Sequence, residues 1–159
     1  MKNKSEETVL QLLMQGLVGK QILKVNAGGS TGSIFCLEIG ETLKVKLING
    51  REVTEGDFSI MIYSSWRLDN FEMLQPITSW QEDSGLEGKM TSSLKDLLND
   101  VIEKVSLTSF YDLDIQFRSG KRLAVFSDLT SNQEMDTNWF FRDREKYYSV
   151  NKFFELVVE

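Results

Sequence analysis

The sequence contains no histidine, and this absence removes several kinds of chemistry. Ser-His-Asp triads and Cys-His pairs both use an imidazole as the base, so neither can form within this chain. A zinc site built from histidine and cysteine is excluded too, because Cys36 is the one cysteine and a single thiolate cannot complete a tetrahedron. Acid–base chemistry would fall to carboxylates, lysine, tyrosine or Cys36.

The sequence also lacks a long hydrophobic run. No stretch approaches the ~18 apolar residues that cross a bilayer as a helix. Residues 1–7 are polar and lack the apolar centre of a secretory signal. A lone cysteine cannot form an intrachain disulfide, which fits a reducing compartment. These features predict a cytoplasmic protein.

The composition is that of a globular protein with an acidic surface. The chain has 159 residues, of which 41% are hydrophobic and 26% are charged, so it can bury a core without metals or disulfides. Its net charge of −6 disfavours general binding to nucleic acids or anionic membranes. The acidity serves solubility, or it complements a basic partner.

Hydrophobic periodicity predicts a β-rich α+β fold with a mainly antiparallel sheet. A helix is expected over residues 6–16, with Val9, Leu10, Leu13 and Leu17 on one face, and a short one over 93–99. Asn49-Gly50 is the strongest hairpin signal, and Ser119-Gly120 marks a second turn. Strands are predicted at 21–26, 34–39, 43–47, 51–54, 58–63, 101–107, 113–118, 122–127, 139–141 and 147–150. Residues 153–158 fit either a strand or a helical turn.

The chain resembles itself at a spacing of 80 residues. Seven identities fall between residues 17 and 45 without a gap, where chance would give about two. They are Leu17/Leu97, Ile22/Ile102, Lys24/Lys104, Val25/Val105, Gly40/Gly120, Leu43/Leu123 and Val45/Val125. Ser79-Trp80 and Asn138-Trp139 form a further similar pair. The interpretation is two similar helix–strand–strand–strand halves, 1–68 and 91–159, with 69–90 connecting them within one compact domain. The alternative is two ordinary β-meanders with matching turns.

The glycine-rich stretch from Ala27 to Ser33 is the first candidate binding site. Gly28 and Gly29 allow backbone N–H groups to converge on an anion, and Ser30 and Thr31 add hydroxyls. The stretch lacks the Gly-Lys-Ser/Thr ending of a phosphate-binding loop and leads into a predicted strand. The alternative is a flexible hairpin loop.

Two tryptophans complete the set of candidate binding residues. Trp66 stands next to Arg67 at the end of an apolar strand, and such a pair can stack on and pair with a planar anion or anchor a protein interface. The alternative is a tryptophan at the edge of the core beside a solvated arginine. Trp139 belongs to a dense aromatic cluster near residue 140, which serves either as core or as an interface.

The remaining chemistry-bearing residues favour structural interpretations. Asp112, Asp114 and Asp128 would meet across adjacent strands, where clustered carboxylates can bind Mg²⁺ or Ca²⁺, but solvated side chains are the simpler expectation. Cys36 fits a small buried hydrophobe without an activating base. We therefore expect no metal, no cofactor and no catalytic residue.

A family resemblance rests on three short sequence motifs: Ala27-Gly28-Gly29-Ser30, Ser65-Trp66-Arg67-Leu68 and Asn138-Trp139-Phe140-Phe141. With them the chain resembles small uncharacterised bacterial proteins and, more loosely, two further groups. These are acidic α+β immunity proteins that neutralise toxins, and phage-encoded proteins that sequester nucleotide signals. The first resemblance implies a basic protein partner. The second implies a nucleotide-like ligand in an oligomer pocket.

The sequence thus supports a non-enzymatic binding protein, with two open alternatives. The first is an inhibitor or immunity-type protein whose acidic patches, such as Glu82-Asp83, contact a protein partner. The second is a binder of a small anionic ligand that uses the glycine-rich loop together with Trp66 and Arg67, in a setting of bacterial defence or phage counter-defence. A third alternative is an enzyme that uses carboxylates or a bound metal ion. A two-fold homodimer is the default assembly.

Overall fold

The computed structural model describes residues 4–81, 85–144 and 146–159, and these form two helices and two antiparallel sheets. The predicted β-rich α+β class is therefore confirmed. The helices are α1 (Lys4–Gln15) and α2 (Lys89–Lys95). The strands are β1 (Ile22–Ala27), β2 (Phe35–Lys46), β3 (Glu52–Ile62), β4 (Trp66–Asp69), β5 (Ile77–Thr78), β6 (Ile102–Leu107), β7 (Leu113–Phe117), β8 (Arg122–Val125), β9 (Thr137–Asp143), β10 (Lys146–Asn151) and β11 (Leu156–Val158).

The six-stranded sheet combines strands from both ends of the sequence, whereas the five-stranded sheet comes from its middle. The six-stranded sheet has the order β1-β2-β3-β9-β10-β11, and the five-stranded sheet has the order β5-β4-β8-β7-β6. After β3 the chain leaves the first sheet for β4 and β5, and after β8 it leaves the second sheet for β9. Inward side chains of both sheets pack into one shared core, and strands such as β4 and β7 bury every second residue.

The helices lie against the outer strands of the sheets. Helix α1 contacts β6, and α2 contacts β1 and β5. Leu10, Met14 and Leu17 form the buried stripe of α1 and of the turn that follows it. Val9, which was predicted to lie on this face, is instead 48% exposed. Among the described residues, no helix is long and apolar enough to span a membrane.

The predicted second helix was placed too late in the sequence. It begins at Lys89 and ends at Lys95, so that Met90 and Leu94 reach the core one helical turn apart. The stretch predicted at 93–99 continues beyond the helix as turns, and Asn99 adopts a positive φ of 68° that ends the helical path. The connecting stretch 69–90 contains β5 and the first residues of α2.

The strands predicted at 34–39, 43–47, 51–54 and 58–63 merge into two long strands, β2 and β3. The register between them shifts at Ile39/Thr42, where Gly40 adopts φ 93° and makes a bulge. The predicted Asn49-Gly50 turn joins them, with φ 81° at Gly50. The predicted Ser119-Gly120 turn likewise joins β7 to β8.

Beyond this bulge the two strands leave the body of the sheet. Strand β1 pairs with β2 only up to Ile39, and β9 pairs with β3 only from Phe58 onward. Within the described part of the chain, the strand segments 42–46 and 52–56 pair only with each other. Residues 41–55 therefore form a two-stranded projection, which we call the arm.

Two stretches that lie 80 positions apart, 19–22 and 99–102, are joined by backbone hydrogen bonds next to the helices. The Gly19 N–H donates to the Ile102 carbonyl at 2.7 Å, and the Asn99 N–H donates to the Ile22 carbonyl at 2.9 Å. Gln21 forms an isolated antiparallel bridge with Val101 between these two bonds. The starts of β1 and β6 are thereby tied to each other.

Candidate functional site

A cleft of about 340 Å³ opens where β1 ends and β2 begins. We call it the Gly28 cleft. It is lined by Val25, Asn26, Ala27, Gly28, Thr31, Ile34, Phe35, Cys36, Met61 and Lys95. Two of the four predicted loop residues, Gly28 and Thr31, thus form part of its wall. Gly29 and Ser30 lie between them in the sequence and do not line the cleft.

The loop keeps its shape through close packing against α2. Gly28 adopts φ 87°, and a Cβ atom at this position would lie 2.4 Å from the Oγ1 of the buried Thr91. Only glycine tolerates both the conformation and the contact. Gly29–Thr31 then form one short 3-10 turn, and the Thr31 hydroxyl donates to the Gly28 carbonyl at 2.9 Å.

Lys95 and Met61 are cleft residues that the sequence reasoning missed. Lys95 lies at the end of α2 and makes no ion pair with any described residue. Met61 comes from the middle of an apolar strand, where its pattern predicts only core packing. No local signal connects either residue with Gly28, because each reaches the cleft through the packing of a separate element.

Cys36 forms part of the cleft wall as an un-ionised thiol. Burial, and after it the repulsion by the nearby Glu38 carboxylate, raises its pKa from 9.0 to about 12. The thiolate is the nucleophilic form, so this thiol is poorly suited to covalent chemistry near neutral pH.

Both predicted binding tryptophans lie in the core. The Trp66 indole N–H donates to the Ser33 carbonyl at 2.8 Å, and its ring meets Phe35 edge-on at 5.2 Å. The Trp139 indole N–H donates to the Tyr111 carbonyl at 2.9 Å. Both side chains are completely enclosed, so neither ring offers a surface to a ligand in this conformation.

Arg67 faces away from Trp66, because successive residues of a strand point to opposite sides. Its guanidinium lies 5.6 Å from the centre of the Phe126 ring and 3.2 Å from Asp69. It lines a second opening of about 220 Å³ together with Arg122 and other residues of β6, β7 and β8. This opening shares no residue with the Gly28 cleft, so the structure does not bring Arg67 to the Gly28 loop.

The three aspartates each have a structural partner. Asp112 accepts the Ser127 N–H at 2.8 Å, Asp128 accepts the Ser65 N–H at 3.3 Å, and Asp114 pairs with Arg122. The hydrogen bond from Arg122 to Asp114 raises the pKa of the guanidinium. No group of three potential ligands for a metal ion occurs among the residues that the structure describes.

A buried arginine holds the root of the arm. Arg142 on β9 is only 6% exposed, and its guanidinium lies 3.1 Å from Glu38 and 3.5 Å from Glu55. It also donates to the Ser59 hydroxyl and to the Gly56 carbonyl, at 3.2 and 3.0 Å. Its position inside an aromatic stretch gave no sequence signal of this role.

The arm carries apolar side chains on a surface without a described partner. Leu43, Val45 and Leu47 alternate along β2 and its extension, and Val45 faces Val53 across the hairpin. Leu43 and Leu47 are exposed, and Ile48 at the tip is fully exposed. Glu82 and Asp83, which were predicted as an acidic patch, lie outside the described residues.

No protein-family model, no curated protein and no solved structure matches this sequence.

Proposed function

We propose that this chain is a non-enzymatic binding protein that neutralises a protein partner, as inhibitors and immunity proteins do. The observation that supports this most is the arm, a two-stranded projection with exposed apolar side chains. The surrounding chemistry also favours binding over catalysis. The Cys36 thiol is buried with a raised pKa, and Asp112, Asp114 and Asp128 are held by structural contacts.

The arm gains little from its own packing. A two-stranded hairpin is marginally stable in water unless a third strand or another surface covers it. Here residues 42–46 and 52–56 have no further strand partner among the residues that the structure describes, and the fully exposed Ile48 contributes nothing to the core. A partner that covers the stripe of Leu43, Val45 and Leu47 would remove this apolar surface from water.

The charge of the protein favours a basic partner. The net charge is −6, whereas Lys44, Lys46 and Arg51 of the arm offset Glu41, Glu52 and Glu55 in number. The attraction would therefore come from the acidic body, and the arm would supply the apolar anchor. This division matches the general pattern in which charge steers association and buried apolar residues hold the complex.

The test compares two matched surface substitutions. The arm variant Ile48→Ser and the control Leu12→Ser both remove one exposed apolar side chain, the latter from α1. Tagged proteins would be incubated with lysate of the host, and bound proteins quantified by mass spectrometry. We expect one basic protein to bind the wild type and the control, and to be depleted at least fivefold by Ile48→Ser, about 1 kcal/mol. Equal capture by both variants would refute a role for the arm.

A small anionic ligand is the second candidate function. It is favoured by the Gly28 cleft, which is lined by Gly28, Thr31 and Lys95, the last without an ion pair to any residue that the structure describes. Arg67 belongs to the other opening, so this candidate now involves the loop without Arg67.

We also propose that the two halves are copies of one unit related by a pseudo-two-fold axis. The reciprocal bonds from Gly19 to Ile102 and from Asn99 to Ile22 support this, because the two donors lie 80 positions apart and so do the two acceptors. Gly19 and Asn99 both adopt positive φ, at 85° and 68°. The bulge in β1 after Ile22 recurs in β6 after Ile102.

The tryptophans support the same proposal, but the residues that correspond between the two halves differ from those matched in the sequence. Trp66 pairs with Val125 at the end of β8, and Trp139 pairs with Ile62 at the end of β3. Trp66, rather than Trp80, is therefore the counterpart of Trp139. A cytoplasmic location and a two-fold homodimer remain our proposals for the setting and assembly of the protein.

A further inference from the structure

We propose that the Gly28 cleft binds a small organic monoanion with an apolar body, such as a medium-chain carboxylate. This inference rests on the second candidate function and names its ligand class. The volume of about 340 Å³ is at the small end of the range of ligand sites, roughly 300–1,000 Å³. A compact ligand therefore fits better than a dinucleotide.

One side of the cleft provides an apolar surface. Cys36 on β2 pairs with Met61 on β3, and Ile34 lies just before β2; all three residues line the cleft. The Cys36 thiol stays neutral because its pKa is raised, so it behaves here as a small apolar group. A hydrocarbon chain placed on this surface would be withdrawn from water.

The other side provides one positive charge. Lys95 is the only cationic residue among those that line the cleft, and it forms no ion pair with a described residue. One ammonium balances one negative charge, whereas a di- or triphosphate would leave excess charge on a protein of net charge −6. The charge balance therefore favours a carboxylate over a nucleotide polyphosphate.

The hydrogen-bond donors that line the cleft also favour a carboxylate ligand. The Thr31 hydroxyl already donates to the Gly28 carbonyl, so it has no proton left for an anion. The Asn26 side chain lines the cleft, and its amide forms no hydrogen bond with a described residue. Lys95 and Asn26 are thus the side chains that can donate to a carboxylate, while the packing of Gly28 on Thr91 keeps the loop in place.

The test is a titration of the full chain with octanoate, followed by methyl NMR. We expect saturable shifts of the Met61 and Ile34 methyl signals, with the methyl groups of the exposed Leu74 unchanged. Adenosine 5′-monophosphate is titrated in parallel. Saturation of the cleft signals by the nucleotide alone would overturn the ligand class and leave the second candidate function standing. If neither compound shifts the Met61 and Ile34 methyl signals, both the proposed ligand class and the second candidate function would be overturned.

Matched variants test the role of the charge. Lys95→Gln should weaken octanoate binding roughly tenfold, the order expected for one charge-assisted hydrogen bond. Lys104→Gln removes the same charge from an exposed position outside the cleft and should leave the affinity unchanged. Equal affinity of Lys95→Gln and the wild type would overturn the proposal. Because partner capture reports on the arm and this titration on the cleft, either proposal can fail without the other.

Discussion

The Arg142 guanidinium lies 3.1 Å from the Glu38 carboxylate, although 104 positions separate the two residues. Both side chains are largely buried, and Glu38 also accepts the Gly56 N–H at 2.9 Å. The contact joins β9 to β2 where the arm leaves the sheet. The structure of the arm thus depends on a charge supplied from near the other end of the sequence.

Replacing Arg142 should destabilise the protein strongly. Arg142→Met leaves Glu38 buried without its partner, and removal of one member of such a pair costs about 3 kcal/mol. The free energy of unfolding would be measured by urea denaturation. Glu38→Gln and the double variant complete a cycle that should show a coupling energy above about 1 kcal/mol.

The exposed pair of Arg67 and Asp69 is the matched control. Its atoms lie 3.2 Å apart, but the side chains are 40% and 33% exposed, so Arg67→Met should cost less than about 1 kcal/mol. Similar losses in both arginine variants would contradict the role assigned to Arg142.

Gly28→Ala should destabilise the loop and the contact with α2. The added Cβ meets Thr91 at 2.4 Å while φ is 87°, so conformational strain and a steric clash act together. Gly50→Ala has φ 81° with open space around it and reports the strain alone, about 1 kcal/mol. In thermal denaturation, Gly28→Ala should have a clearly lower melting temperature than Gly50→Ala. An equal decrease in both variants would show that the clash with Thr91 is relieved easily.

Cys36 should react slowly with iodoacetamide in the folded protein. Its pKa of about 12 keeps the thiolate scarce at pH 8, so alkylation should be about a thousandfold slower than in urea. The native rate should still rise at pH 10, where the denatured thiol levels off. A plateau of the native rate near pH 9 would contradict this prediction.

The raised pKa of Cys36 also determines whether the free energy of unfolding rises or falls with pH. A thiol whose pKa is raised from 9.0 to about 12 stabilises the fold fully below pH 9, and this contribution is lost as the pH rises toward 12. The wild type should therefore lose more stability than Cys36→Ala between pH 8.5 and about 10.5. Parallel curves for the two proteins would refute the assignment.

Acrylamide quenching should distinguish one exposed tryptophan, Trp80, from two buried ones, Trp66 and Trp139. Trp80 is 83% exposed, so Trp80→Phe should remove most of the acrylamide-quenchable fluorescence and leave the melting temperature unchanged. Trp139→Phe leaves the Tyr111 carbonyl without the indole donor and should cost about 2 kcal/mol. Strong quenching that persists in Trp80→Phe would place Trp66 or Trp139 at the surface instead.

Local patterns predicted most elements because their causes lie within a few residues. The Asn49-Gly50 turn is an example, since its glycine supplies the positive φ that the turn requires. The alternating stretch 113–118 became β7 for a similar reason. The second helix was misplaced because Met90 and Leu94, rather than the later leucines alone, are selected by contact with β1 and β5.

The candidate site was less predictable, since its parts come together only in space. The loop prediction identified Gly28 and Thr31, which line the cleft, but Lys95 and Met61 carried no signal. Conversely, adjacency in the sequence suggested a joint role for Trp66 and Arg67, which strand geometry separates.

The sequence by itself determined that imidazole chemistry is absent, that the surface is acidic, and that short alternating segments form an antiparallel β-rich fold. These properties follow from composition and from contacts between near neighbours. The tertiary structure decided which sheet each strand joins, and hence that β9 lies beside β3 and brings Arg142 to Glu38. It also decided that α2 meets β1 and places Lys95 beside Gly28, because long-range packing, which no local pattern encodes, selects these neighbours.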